Sequence, residues 1–231
     1  MLMNKKYLLS ASLVCADLMN LWDQIKKLEE AWIDYIHIDI MDGHFVPRFG
    51  LMPEVVKQVR SMTDIPMDVH MMTNNPEPYI ASFIEAGGNI IAVHVEDNPN
   101  LHRTIKMINN AGAMAGVVLN YATPLDVLDY ILDDIWFIML MAINPWIVGH
   151  KVIPGIYQKI KDLKEKVKNY PDMIIEIDGG VTPETLPEMV KCGANMLVCG
   201  TGTIFRPAEL VKEKTTELRL IVDEALKDYM P

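Results

Sequence analysis

Eight short apolar runs, each long enough for one buried strand, alternate with stretches of helical periodicity along the whole chain. The runs cover residues 8–13, 35–39, 67–71, 90–94, 115–119, 135–141, 173–177 and 196–199. Helical spacing fills the intervals at 21–31, 53–59, 76–86, 101–110, 125–132, 156–167 and 184–191, with a tail helix from 208 to about 229. In the first of these, Leu21, Ile25, Leu28 and Trp32 fall on one face. Pro53 and Pro76 stand in first turns, where a missing N–H costs nothing. Several helices stop at glycine: Gly87-Gly88, Gly112 and Gly193. Eight such units without a low-complexity linker predict an α/β fold, a single (β/α)8 TIM barrel spanning residues 1–231 as one domain. The rival, an open doubly wound sheet, usually carries fewer strands and an early glycine-rich fingerprint, which this sequence lacks.

Half of the 231 residues are hydrophobic, ample for a barrel core. The net charge is −10 and no Lys/Arg run occurs, which argues against a nucleic-acid partner. An anionic substrate would need local donors, since the global field is negative. Cys15, Cys192 and Cys199 are scattered, with no C-x-x-C pair, as expected of a reducing cytoplasm. Lys5-Lys6 before residues 7–16 loosely resembles a signal peptide, but Ser10 and Ser12 interrupt it and the barrel needs it as a first strand. The longest apolar run, 135–143, is far short of the ~20 residues that span a bilayer, so no membrane association is expected.

In barrels of this kind the active site lies at the carboxyl ends of the strands. Those ends carry Ser12, His37 and Asp39, His70, His94 and Glu96, Asn120, Met141 and Asn144, Asp178, and the Gly200-Thr201 turn. His37 and Asp39 are two apart on one strand, so they project to the same side. With His70 and Asp178 they form a candidate metal set of two imidazoles and two carboxylates. Two imidazoles and two carboxylates with no thiolate suit Zn²⁺, Fe²⁺, Mn²⁺ or Co²⁺, and Zn²⁺ is the expected ion among them. Any one of these histidines alone is more simply a core residue; their coincidence at the strand ends favours ligands.

Two glycine turns make a second constellation. Asp178-Gly179-Gly180-Val181 follows the seventh strand and Gly200-Thr201-Gly202-Thr203 the eighth. Barrels commonly bind phosphate in these two loops, through backbone N–H groups that small residues leave uncovered.

These blocks resemble the ribulose-phosphate 3-epimerase family, including its hexulose-phosphate relatives. The similarity runs over roughly residues 8–207 and rests on Ser12-Leu13, the segment from His37 to Pro47, Met67-Asp68-Val69-His70-Met71-Met72, Leu119-Asn120, Asn144-Pro145 and Glu176-Ile177-Asp178-Gly179-Gly180-Val181. The resemblance implies one divalent metal held by His37, Asp39, His70 and Asp178, with Asp39 and Asp178 as the acid/base pair. It implies substrate contacts from Ser12, from Met41, Met72 and Met141 lining the site, and from Gly149, Gly179, Gly180, Gly200 and Thr201. The reaction implied is inversion at C3 of a phosphorylated ketose of the D-ribulose 5-phosphate/D-xylulose 5-phosphate type through an enediolate. A cytoplasmic homo-oligomer, dimer or hexamer, is expected by the same analogy.

The chain departs from the family pattern after the sixth strand. Where a glycine-rich lid of the type Asn-Pro-Gly-Phe-Gly-Gly-Gln is usual, it reads Asn144, Pro145, Trp146, Ile147, Val148, Gly149, His150. Arg48 replaces a usual asparagine and Tyr121 a usual proline, and the turn after the eighth strand is closer to allulose-6-phosphate epimerases. Two alternatives follow: a 3-epimerase of another ketose phosphate such as allulose 6-phosphate, or a sugar-phosphate-binding barrel without turnover. A barrel decarboxylase or aldolase would want a strand-end lysine, and none of these strand ends carries one.

Overall fold

The computed structural model describes residues 6–145, 151–205 and 207–227. Eight strands, β1 (Leu8–Ser12), β2 (Tyr35–Met41), β3 (Met67–Met72), β4 (Ile90–His94), β5 (Met114–Leu119), β6 (Phe137–Met141), β7 (Ile174–Asp178) and β8 (Met196–Cys199), pair in sequence order, and β8 returns to β1. Every pairing is parallel. Closure leaves no edge strand to shield. The connecting helices are α1 (Leu21–Glu30), α2 (Pro53–Met62), α3 (Glu77–Glu85), α4 (Leu101–Asn110), α5 (Ile156–Lys166) and α6 (Leu186–Cys192), with α7 (Val211–Lys227) last. None is long and apolar enough to cross a membrane.

The strands read as continuous apolar runs because both faces are covered. Outward residues such as Ile36, Ile38 and Ile40 join a belt with Ile25 and Leu28 of α1 and Val56 and Val59 of α2. Inward residues Leu8, Tyr35, Ile90, Ala92, Val118, Phe137, Met139, Met141 and Met196 fill the barrel as a second cluster. The apolar filling lies mainly on β4, β5 and β6, and the inward places of β1, β2, β3 and β7 are largely taken by polar side chains. That asymmetry sets the position of the site.

One expected helix is absent. The segment 125–132 forms two short 3-10 turns, Leu125–Leu128 and Leu132–Asp134. Asp126, Asp129, Asp133 and Asp134 crowd this stretch together with β-branched Val127 and Ile131, and both residue types disfavour helix interiors. Asp126 and Asp129 instead pair with Lys166 of α5. The tail helix likewise begins as a 3-10 turn, Ala208–Leu210, before α7.

A partly buried ion pair ties α7 to the start of the barrel. Asp34, 4% exposed, accepts the Leu9 N–H at 2.9 Å and a guanidinium N–H of Arg219 at 2.8 Å. Arg219 also donates to the Trp32 carbonyl at 2.7 Å. Removing one partner of such a pair leaves the other uncompensated. Asp34→Ala should therefore lower the unfolding free energy by about 3 kcal/mol in a urea titration. Asp34→Asn, which can still accept from Leu9, should cost less.

Candidate active site

Period-two alternation carries the polar inward row. On β1, Ser10 and Ser12 share a side, as do His37 and Asp39 on β2, Asp68 and His70 on β3, and Glu176 and Asp178 on β7. The register sets Ser12 beside His37 and Asp39 beside His70. Closure through β8 then brings Asp178 in from the other side of β1.

At the mouth, His70 Nδ1 lies 3.5 Å from Asp39 Oδ1 and 3.4 Å from Asp178 Oδ2, and His37 Nε2 lies 3.3 Å from Asp39 Oδ1. Ser12 Oγ donates to the other Asp39 oxygen at 2.7 Å. His37 and His70 are fully buried, Asp39 nearly so, and Asp178 keeps 16% of its side chain open to the mouth. Burial opposes charge on Asp39, but the two imidazoles outweigh it and hold the carboxyl well below its usual range. Burial likewise opposes protonation of His37 and His70. The Asp68 and Asp39 carboxylates raise His37 above its ordinary value, and Asp178 and Asp39 do the same for His70.

This donor set fits a divalent cation. One atom from each of His37, Asp39, His70 and Asp178 lies within 4.8 Å of the others. A tetrahedral ion with bonds of about 2.0–2.2 Å separates its ligands by about 3.3–3.6 Å. His70 Nδ1 is buried without a hydrogen-bond partner, although it faces two carboxylates. A cation there would compete with protons for these donors.

Behind the mouth lies a second polar layer to which the sequence reading assigned no role. Asp68 accepts from Ser10 Oγ at 2.5 Å through one oxygen and meets His37 Nδ1 through the other. It thus holds the imidazole so that Nε2 faces Asp39. Glu176 sits in the same layer, fully buried, with both oxygens unpartnered. Burial first, and then the nearby Asp68 carboxylate, push its pKa well above the usual value. The signal was present in the sequence: Ser10, Asp68 and Glu176 are each two residues before a strand-end residue already singled out.

Met41 and Met72 form a small cluster with Val46, edged by Val14 and Phe45, while Met141 belongs to the interior cluster and pairs in register with Asp178. The loop after β2 is fixed by Asp42. Its carboxylate accepts from the backbone of His44 at 2.8 Å, Phe45 at 2.9 Å and Asn74 at 2.8 Å. Arg48, in that loop, is exposed. After β5, Lys159 Nζ donates to the carbonyls of Asn120, Tyr121 and Thr123 at 2.7–2.9 Å, and burial pulls it down to about 8.

Gly179 and Gly180 turn with φ of +88° and +67°. A Cβ at Gly179 would lie 2.3 Å from Ile143, and one at Gly180 2.4 Å from Val152. The next loop touches this one, since a Cβ at Gly202 would sit 3.3 Å from the Val181 carbonyl oxygen. Gly200 opens that turn by accepting from Thr203 N–H at 3.2 Å and Ile204 N–H at 3.1 Å, with Thr201 half-buried between them. Trp146, Val148, Gly149 and His150 lie outside the described residues.

Residues 8–205 match the model of the ribulose-phosphate 3 epimerase family. The chain belongs to that family. It is 45% identical to the ribulose-phosphate 3-epimerase of Bacillus subtilis (strain 168) over 192 residues, covering 82% of this chain and 88% of that one. Against the protein of that name from Methanocaldococcus jannaschii it is 39% identical over 224 residues, covering 96% and 94%. Among solved structures, KGPDC from Streptococcus mutans superposes with a TM-score of 0.76 at 15% identity, covering 96% of this chain and 99% of that one. That likeness shows the barrel fold alone. By family the protein is an enzyme, an isomerase of the epimerase type.

Gly179 offers a controlled test of the loop geometry. Gly112 has the same φ of +88° with nothing within 4 Å of an added Cβ. Gly112→Ala should cost only the left-handed backbone penalty, about 1 kcal/mol. Gly179→Ala should cost a further 1–3 kcal/mol or so from overlap with Ile143. Urea midpoints of the two variants measure the difference.

Proposed function

We propose that the protein inverts the carbinol centre beside the ketone of a phosphorylated ketose, D-ribulose 5-phosphate to D-xylulose 5-phosphate being the type reaction. The observation that carries this reading is the convergence of two carboxylates from opposite sides of β1, Asp39 and Asp178, on one imidazole nitrogen at 3.5 and 3.4 Å. Inversion at carbon needs a proton removed from one face and another returned to the opposite face. Two carboxyl groups flanking the substrate can do both.

In this reading His37, Asp39, His70 and Asp178 hold one divalent ion, Zn²⁺ first among the candidates. Such an ion supplies Lewis-acid polarisation of the ketone and hydroxyl oxygens, which acidifies the C3 proton. Asp39 and Asp178 serve as base and acid at C3. The Ser12 hydroxyl, donating to Asp39 Oδ2, fixes the direction of that carboxylate and contacts the substrate. Met41, Met72 and Met141 give apolar walls that keep water off the reacting carbon. The turns at Gly179-Gly180 and Gly200-Thr201, with Gly149 of the lid, receive the phosphate. Cys15, Cys192 and Cys199 are free thiols, which fits a reducing cytoplasm. A homo-oligomer, dimer or hexamer, fits the family.

Asp39→Asn and Asp178→Asn keep the side-chain shape and remove the base. Each should cut kcat by about 10²–10⁴-fold and abolish exchange of the C3 hydrogen with solvent deuterium. Full exchange in either variant would overturn the assignment. Stripping divalent ions with a chelator should abolish turnover while circular dichroism stays native, and added Zn²⁺ should restore it.

A second reading keeps the chemistry and changes the sugar. It rests on the sequence of the lid, where Trp146 and Val148 replace glycines, with His150 and Arg48 as further departures. D-ribulose 5-phosphate should then be epimerised less efficiently than another ketose phosphate, such as allulose 6-phosphate. A panel of pentulose and hexulose phosphates measures this. Top efficiency on D-ribulose 5-phosphate, unchanged in Trp146→Gly, would discard the second reading.

A further inference from the structure

His94 and Glu96 take no part in the chemistry proposed above, yet they continue the polar row directly behind His70. Glu96 Oε1 accepts the Asn120 N–H at 2.7 Å and the Thr123 hydroxyl, leaving Oε2 to meet His94 Nδ1 at 2.9 Å. A carboxylate can only accept, so His94 Nδ1 carries the hydrogen. A neutral imidazole has one N–H, which makes His94 Nε2 a bare acceptor. It lies 2.9 Å from His70 Nε2, which must then be the donor. The remaining nitrogen, His70 Nδ1, is the atom that faces Asp39 and Asp178 without a hydrogen-bond partner. The Phe45 ring covers His94 with centroids 4.3 Å apart, so the middle member of the row is also held by packing.

We propose that Glu96 and His94 are positioning residues that fix the hydrogen of His70 on Nε2 and thereby present the Nδ1 lone pair to the metal position. This rests on the metal reading under Proposed function. Outer partners of this kind orient a ligating imidazole and raise its basicity. The device also links the loop after β5 to the metal. Asn120 and Thr123, which set the orientation of Glu96, lie in the segment whose carbonyls are gathered by Lys159.

The arrangement predicts an unusual order among substitutions. In Glu96→Gln the amide oxygen stays with the Asn120 N–H and Thr123 hydroxyl, so the NH2 group faces His94 Nδ1. That donor forces the His94 hydrogen to Nε2, which turns His70 Nε2 into an acceptor and moves the His70 hydrogen to Nδ1. The isosteric change therefore inverts the row. Glu96→Ala removes the bias without reversing it. Competition titrations of the metal-free full-length protein with Zn²⁺ and a chromophoric chelator should give affinities in the order wild type, Glu96→Ala, Glu96→Gln, the last about 10–100-fold weaker than wild type. Nitrogen-15 NMR of the histidine-labelled, Zn²⁺-loaded wild type should show His70 Nε2 protonated and Nδ1 unprotonated. Wild-type affinity in Glu96→Gln, a weaker Glu96→Ala than Glu96→Gln, or the opposite tautomer in the NMR spectrum would each overturn the proposal. Failure of the wild type itself to bind Zn²⁺ would overturn the metal reading, and this one with it.

Discussion

Six ionisable side chains, His37, Asp39, Asp68, His70, His94 and Glu176, occupy a barrel interior in which each is 2% exposed or less. A buried charge without a partner costs several kcal/mol, so their mutual placement constrains everything around them. Asp39 faces two imidazoles, Asp68 faces His37 and Ser10, and His94 lies between His70 and Glu96. Glu176, whose two oxygens have no hydrogen-bond partner, has its pKa pushed well above the usual value by burial. The one buried nitrogen of these histidines left without a hydrogen bond, among the described residues, is His70 Nδ1. That nitrogen lies 3.5 and 3.4 Å from the Asp39 and Asp178 carboxylates, where the proposed cation would sit.

The rest of the barrel divides its labour around that row. Phe137, Met139, Val118 and Ala92 fill the opposite side of the interior with apolar bulk, which keeps the local dielectric low and the charge interactions strong. Among the described loops at the mouth, those after β2 and β5 are held by side chains that bind backbone: Asp42 gathers three N–H groups and Lys159 three carbonyls. The four donors themselves stand on strands β2, β3 and β7 rather than on loops, the placement that best preserves a site's geometry. The loop after β7 reaches the same end by a different device, two glycines at positive φ packed against Ile143 and Val152.

Much of this was legible in the sequence. Strand positions followed from short apolar runs, because a parallel barrel covers both faces of every strand. The mouth residues followed from the rule that barrel sites lie at strand ends. The helix expected at 125–132 failed because hydrophobic spacing says nothing of competing aspartate side chains, and four of them crowd residues 126–134. Asp68, Ser10 and Glu176 carried no assigned role for a different reason. The strand-end rule looks only at the last inward position, whereas a charged layer at the mouth needs a second layer to orient it. Carrying the period-two pattern one step inward would have found all three. The pairing of His94 with His70 depends on the register between β3 and β4, which sets His70 opposite Ala92, and that register has no local signature.

X-ray absorption at the metal edge of the Zn²⁺-loaded protein tests the central claim most directly. Two imidazole nitrogens and at least two oxygens are expected at about 2.0–2.2 Å, with no sulfur in the coordination sphere. The same spectrum from Asp178→Asn or His70→Ala should show a changed sphere. A sulfur shell near 2.3 Å, fewer than two imidazoles, or a sphere unmoved by both substitutions would contradict it.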